Sequence, residues 1–322
     1  MGSSAAVRFG RLPISPATAR VVMAELTAGG LLSQPHTSSG RIPTQAGFRF
    51  YVDHLMRARR PSEEDRDALE ARLDADGDSP RRLIQAASRH LAVACEQTAF
   101  GRRPRLEQAS IRRLELLPLH PGRCVAILVL GNGVVIDRVV DVDAGLTDVD
   151  FVRAANLFNA RWVGCALSEA RRRLRTELHA AECDDPALPL LQVADSALER
   201  PDAPEDAIVV EGRTHLLVGD EDVGDMGSVL SALEDKRLLL ELLEGVECDP
   251  GRGPRVMFGE ETKINALQQC TVVAASYGMA ENRMGTVAII GPVRMDYARI
   301  VPWVGCTAQA ISGILVKRHV AA

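Results

Sequence analysis

The chain has 322 residues, 46% apolar and 25% charged, with a net charge of −5, a composition that suits a soluble protein of two or three domains. No apolar run reaches the length that spans a bilayer, and "MGSSAAVRFGRLP" lacks the apolar core of a signal peptide, so a cytoplasmic protein with no membrane role is expected. Seven scattered cysteines without a CxxC pair argue against a disulfide framework or zinc site and for free, mostly buried thiols.

The net charge conceals an asymmetry. Residues 1–60 hold eight Arg, no Lys and only Glu25 and Asp53, a net +6, which leaves −11 for the rest. A basic head on an acidic body points to a polyanionic partner for the head.

The first clear element opens at "SPAT". Ser15 suits a helix N-cap, Pro16 the first helical position, and Gly29–Gly30 the end. Ala19, Val22, Met23 and Leu26 recur at helical spacing and predict a buried stripe. The other face offers Ala17, Val21, Ala24 and Ala28 beside Thr18 and Arg20. In a major groove, Ala17 and Val21 suit thymine methyls, and Thr18 and Arg20 suit base edges or phosphates; the N–H groups near Ser15 favour a phosphate.

"LLSQPHTSSGRIPT" then predicts a hairpin: Leu31–Gln34, a polar loop over 35–40, and Arg41–Thr44. His36, Thr37, Ser39 and Arg41 suit contact with a nucleic-acid backbone. After Thr44, a further cap, Phe48, Tyr51, Val52 and Leu55 share a helical face. Helix, strand, loop, strand and helix in this order describe a winged helix-turn-helix, with the loop as a wing on double-stranded DNA. The alternative is a structural hairpin on a protein-binding domain.

Residues 61–110 read as a helical connector, with helices in "PSEEDRDALEARLDA" and "PRRLIQAASRHLAVACEQTAF" around a "DADGDSP" loop. From Leu114 the period changes to that of strands: "LELLPL", "CVAILVL" and "VVIDRVV", the last two joined by Gly-Asn-Gly. Later strands are predicted at Arg255–Gly259, Cys270–Gly278 and Gly285–Gly291, with helices in "MGSVLSALEDKRLLLELLEGV". The whole is α+β and multidomain.

No motif assigns a nucleophile, base, metal or cofactor, so no enzyme is expected. "DVDAGLTDVD" misses calcium-loop spacing and reads as a loop with helix-capping aspartates; "GDEDVGDMGS" reads as a solvated acidic turn. Arg171, Arg172, Arg173 and Arg175 read as an ion-paired helix face, with a second nucleic-acid patch as the alternative. Asp296, with Arg294 or Arg299, reads as a salt bridge or cap at the start of the final helix.

"SPATARVVMAELTAGGLLSQPHTSSGRIPTQAGFRFYVD" resembles the N-terminal signature of the heat-inducible transcription repressor family HrcA. "GPVRMDYARIVPWV" resembles its C-terminal signature, and "LELLPL" and "LLELLEGV" fall in similar order between them. The resemblance implies that residues 1–60 are the winged-helix DNA-binding domain, with its first helix missing. It implies a GAF-like domain over 111–145 and 231–322, interrupted by a dimerisation domain over 146–230. Gly291, Pro292, Arg294, Asp296 and Tyr297 would be a structural motif.

The implied function is repression of class I heat-shock operons, of the dnaK and groE type, by a homodimer on an inverted-repeat operator. Heat would relieve repression by titrating the GroE chaperonin, with no cofactor. The alternative is a ligand-sensing winged-helix regulator with a small molecule in the GAF-like domain. The chain departs from the family at two points. It starts near the second helix, around "SSAAVRFGRLP", without the helix expected to pack on Ala19, Val22 and Leu26. Val21 also stands where Asn is usual, and Asn reads adenine bidentately where Val does not.

Overall fold

The computed structural model describes all residues except 37–39, 77–79, 105, 121, 132–133, 181–187, 199–206, 216–225, 246–252, 280–281 and 322. The head comprises α1 (Ser3–Gly10), α2 (Pro16–Ala28), β1 (Leu32–Ser33), β2 (Ile42–Pro43) and α3 (Gln45–Phe50), which continues as a π-helical turn over Tyr51–Leu55. An extended segment, 56–62, leads to α4 (Glu63–Asp76) and α5 (Pro80–Cys95).

After α5 come β3 (Thr98–Arg102), β4 (Ile111–His120), β5 (Arg123–Leu130) and β6 (Val135–Asp141). Next are α6 (Asp148–Trp162), α7 (Leu167–Ala180), α8 (Leu188–Leu198) and β7 (Ile208–Glu211). The chain continues through α9 (Met226–Glu234), α10 (Lys236–Gly245), β8 (Arg255–Phe258), β9 (Cys270–Met279), β10 (Asn282–Pro292) and α11 (Tyr297–Ala321).

The strands form two separate body sheets. An antiparallel five-stranded sheet has the order β7-β3-β10-β9-β8. Both of its faces are buried, which explains why "TVVAASYG" and "TVAIIG" are apolar nearly throughout. Val273, Ala275, Val287 and Ile289 join the core shared with α4, α5 and α11. Val272, Ala274, Ala288 and Ile290 alternate with them and meet Val229, Leu233, Leu239 and Leu243 of α9 and α10.

The second sheet, β4-β5-β6, packs one face on α6 and α8. It lies in the chain between β3 and β7 of the larger sheet. At its neck, the Arg103 N–H donates to the Ala207 carbonyl at 2.8 Å.

This pairing corrects the expected partition. Residues 111–145 do not join the strands of 231–322; they pair among themselves and pack on the helices that follow. Nor is 61–110 a connector: β3 pairs with β10 and β7 inside the larger sheet, and α5 covers it. Alternation in a sequence identifies a strand but not its neighbour, because that choice depends on contacts distant in the chain.

The expectation of no bilayer-length apolar run also needs correction. Tyr297–Lys317 has a mean hydropathy of 1.3 and is long enough to cross a membrane. Here it is a core helix: Tyr297, Ile300, Val304, Ile311 and Ile314 are buried against the sheet and its neighbouring helices.

Candidate nucleic-acid interface

The geometry of the head starts from its caps. Arg11 ends α1 in the left-handed region (φ 48°), and the Leu12 N–H donates to the Val7 carbonyl at 3.1 Å. The chain turns over 11–15 into α2. Ser15 Oγ accepts from the Thr18 N–H at 3.1 Å and lies 2.9 Å from Thr18 Oγ1, while Pro16 occupies the first turn. Ser15 therefore serves as the cap that begins α2. Gly30 (φ +74°) ends the helix in a backbone conformation that side chains resist.

Thr44 then ties three elements together. Its hydroxyl donates to the Gly30 carbonyl at 2.7 Å and accepts from the Gly47 N–H at 3.1 Å, while its own N–H donates to Leu31 O at 3.1 Å. A Cβ at position 47 would lie 2.1 Å from Leu31 O, so only glycine permits this approach of α3 to the hairpin. The hairpin pairs Leu32 with Pro43 and Ser33 with Ile42.

On α2, Ala17, Thr18, Arg20, Val21, Ala24, Glu25 and Ala28 are exposed. The expected buried stripe is only partly present. Ala19 is buried and Met23 half-buried, but Val22 and Leu26 keep 42% and 37% of their surface exposed. Among the described elements, α1 and β1 pack on α2, and their cover leaves Val22 and Leu26 partly in solvent.

His36 is exposed, Arg41 is half-buried with its Nε out of solvent, and Thr37 and Ser39 lie outside the described residues. Arg8 and Arg11, which no motif singles out, are exposed at the end of α1, which packs on α2; Arg8 lies 4.8 Å from the centre of the Phe9 ring.

Part of the basic charge of the head is paired with carboxylates of the body. Arg49 turns towards the body, where it pairs with Glu261, and Arg59 pairs with Asp296. Asp296 thus pairs with Arg59 rather than with Arg299, and it stands immediately before α11, the position of a cap. The Arg299 guanidinium instead donates to the Ala94 carbonyl at 2.6 Å.

The rest of the expected structural motif surrounds this point. Gly291 sits on β10 opposite Thr271, where a Cβ would lie 2.1 Å from Gln97 Oε1; Pro292 pairs with Cys270, and Arg294 lies in the bend that follows. Tyr297 is buried, its hydroxyl donating to Val293 O and lying 3.0 Å from Thr271 Oγ1. Burial pushes its phenol well above the ordinary range.

The other arginine cluster is ion-paired, its four arginines sharing three carboxylates. Arg171 grips Glu107 with contacts of 3.0 and 2.9 Å and donates to Leu198 O at 2.8 Å. Arg172 and Arg173 pair with Glu169, and Arg175 pairs with Asp195 at 3.5 Å. The aspartate loop before α6 does act in caps: Asp150 and Thr147 form a capping box, and Asp143 Oδ1 accepts from the Gly145 N–H at 2.8 Å. Most of "GDEDVGDMGS" lies outside the described residues.

The described cysteines, Cys95, Cys124, Cys165, Cys270 and Cys306, are free. Burial pushes the Cys95 thiol up to about 12 and the Cys270 thiol up to about 11, far from a reactive thiolate.

Comparison with known proteins fits this arrangement. Residues 81–301 match the family model described as the HrcA protein C terminal domain. A heat-inducible transcription repressor HrcA of Sphingopyxis alaskensis is 35% identical over 322 residues, covering 98% of this chain and 91% of the relative. The protein of the same name in Xanthomonas campestris pv. campestris is 34% identical over 320 residues, covering 98% and 90%. A crystal structure of a hypothetical protein at 2.2 Å resolution shares the fold, with a TM-score of 0.64 at 20% identity over 99% of this chain and 93% of that one.

Proposed function

The chain belongs to the HrcA family of heat-inducible transcription repressors, and from that premise we propose that its head is a winged helix-turn-helix that holds α2 in the major groove of an inverted-repeat operator. The observation that carries this reading is the exposed face of α2: Ala17, Thr18, Arg20 and Val21 stand clear of the protein beside the N-terminus that Ser15 caps. Small side chains let the helix backbone approach base edges, and the Ala17 N–H, next to the cap, points towards where a phosphate would lie. His36 and Arg41, at the two ends of the loop between β1 and β2, would grip the DNA backbone, and the sequence adds Thr37 and Ser39 to that contact.

The body then holds two heads at a fixed separation. We read the larger sheet with its helices as the GAF-like domain. The smaller sheet, with α6 to α8, is the inserted dimerisation domain. Its outward face supports this: Leu117, Val125 and Val139 lie in one cross-strand row, Val129 and Val135 in another. Leu117, Val135 and Val139 keep 50%, 49% and 48% of their surface exposed. Between the two rows lies Glu115–Ile127–Asp137, so the face has an apolar centre along β5 with charges on its edge strands, which suits a second copy of the same face.

A two-fold dimer explains a palindromic site, with half-sites about 34–36 Å apart or a multiple of that. The operons controlled are chaperone operons of the dnaK and groE type. Heat relieves repression by occupying the GroE chaperonin that sustains the active repressor, without a cofactor. A marginally stable repressor suits such control, since about 1–2 kcal/mol changes its active fraction several-fold.

The decisive experiment selects duplexes with the full-length chain from a pool of random sequence. A two-fold symmetric consensus is expected, with affinity for it far above that for scrambled duplexes. Equal affinity for both would overturn the reading. Adding chaperonin should raise the fraction of purified chain that binds the selected duplex, and an unchanged fraction would count against the thermal mechanism.

A further inference from the structure

The C-terminal signature seats the head on the body. Arg49, on α3, stacks its guanidinium 4.7 Å from the centre of the Phe258 ring. It donates to the Val256 carbonyl at 2.9 Å and pairs with the Glu261 carboxylate. One turn earlier, Gln45 donates to the Gln268 carbonyl at 2.6 Å. Phe48 lies 5.9 Å from the Tyr297 ring, which in turn lies 5.6 Å from Phe258. Farther along, the Arg59 N–H donates to Ala298 O at 2.8 Å while its guanidinium pairs with Asp296.

These contacts converge on rigid ground. Tyr297 is buried and held by Val293 and Thr271, and Glu261 also accepts from the Phe258 N–H at 2.8 Å. A planar guanidinium that meets a ring, a carbonyl and a carboxylate together has a narrow choice of orientation. The segment that otherwise joins head to body, Arg57–Arg60, is exposed and lies outside any helix or strand.

We propose that Arg49 and Arg59, docked on Phe258–Glu261 and Asp296–Tyr297, form a latch that fixes the head on the body and thereby sets the half-site spacing that the repressor accepts. This rests on the DNA-binding reading above. With tethered but undocked heads, the second half-site is found at an effective concentration set only by a loose linker, and spacing is read poorly. With docked heads, the two α2 helices have one separation and one angle. Arg49 and Arg59 are positioning residues: they act on DNA through the head and touch no base.

The test uses the full-length chain with Arg49→Ala, Arg49→Lys and Arg59→Ala. Free of DNA, Arg49→Ala should be nicked by trypsin after Arg57 about tenfold faster than wild type, because it loses a charge-assisted contact. On duplexes selected by the wild-type chain, all three variants should bind a single half-site with unchanged affinity. Arg49→Ala and Arg59→Ala should lose about tenfold or more in affinity for the inverted repeat. They should also tolerate insertion of about half a helical turn between half-sites, which the wild type rejects. Arg49→Lys, which keeps the charge without the fork, should lie between.

Wild-type nicking rates in Arg49→Ala overturn the latch. Accelerated nicking with an unchanged spacing profile overturns its role in specificity. If the wild type itself ignores symmetry, the functional reading fails, and the nicking assay, which contains no DNA, still decides whether the head is docked.

Discussion

Asn159 and Leu114 exchange two hydrogen bonds: the Leu114 N–H donates to Asn159 Oδ1 at 2.8 Å, and Asn159 Nδ2 donates to the Leu114 carbonyl at 2.9 Å. Leu114 lies on β4, an edge strand of the smaller sheet, so α6 supplies the partners that another strand would supply. Replacing Asn159 with Ala strands both backbone groups in a part-buried site. Urea unfolding should report a loss of about 2 kcal/mol, and a loss below about 0.5 kcal/mol would show that water replaces the amide freely.

Val139 offers a direct test of the dimer surface. Its side chain is half exposed on an edge strand opposite Val125, so Val139→Lys should leave the folded protomer intact. A buried, unpaired ammonium at a two-fold apolar contact is costly, so sedimentation should shift from dimer to monomer. Preference for the inverted repeat should disappear with it. A Val139→Lys chain that sediments as a dimer would place the contact elsewhere.

Arg20 and Arg41 separate reading from gripping. Arg20→Ala should alter which bases the chain selects, since Arg20 stands on the exposed face of α2. Arg41→Ala should weaken all duplexes alike and flatten the slope of log K against log salt by about one unit. An unchanged slope would remove Arg41 from the wing contact. Its partly buried position makes that outcome informative.

His90 makes the body sensitive to acid. It packs 5.5 Å from Trp303, ring centre to ring centre, and its Nε2 is buried without a hydrogen-bond partner. Burial, and then the Arg72 charge, hold its pKa below the ordinary 6.5, against a smaller opposing pull from Asp65. The unfolded chain therefore binds a proton at a higher pH than the folded one. Stability is unaffected well above 6.5 and falls as pH drops from 6.5 through the lowered folded value. The capping carboxylates Asp65 and Asp150 titrate elsewhere: hydrogen bonds from Ser62 and Thr147 hold them below 3.8, so their contribution is lost only at lower pH. Melting temperatures at about pH 7 and 5 should converge in His90→Phe relative to wild type. Equal acid sensitivity in both chains would assign the effect to other groups.

Much of the local structure is written in short stretches of sequence. Ser15, Pro16 and the two glycines mark the limits of α2, and Thr44 marks the start of α3. Short, nearly continuous apolar runs mark β8, β9 and β10. These signals are legible because a cap or a face depends on residues within a few positions of one another. The outward face of α2 is legible for the same reason.

Which strand lies beside which was settled only by the tertiary structure. β3 closes the larger sheet from within a stretch that reads as helical, and β4 to β6 form a sheet of their own, apart from the strands with which the resemblance grouped them. The same holds for individual charges: Arg49 and Arg59 look like part of a basic surface until Glu261 and Asp296, more than two hundred residues later, are placed beside them. Val22 and Leu26 carry the spacing of a buried stripe and still face solvent, because periodicity says that residues share a side, not that anything covers it. Contacts across such distances are selected by shape and free energy over the whole fold, and no local pattern records that choice.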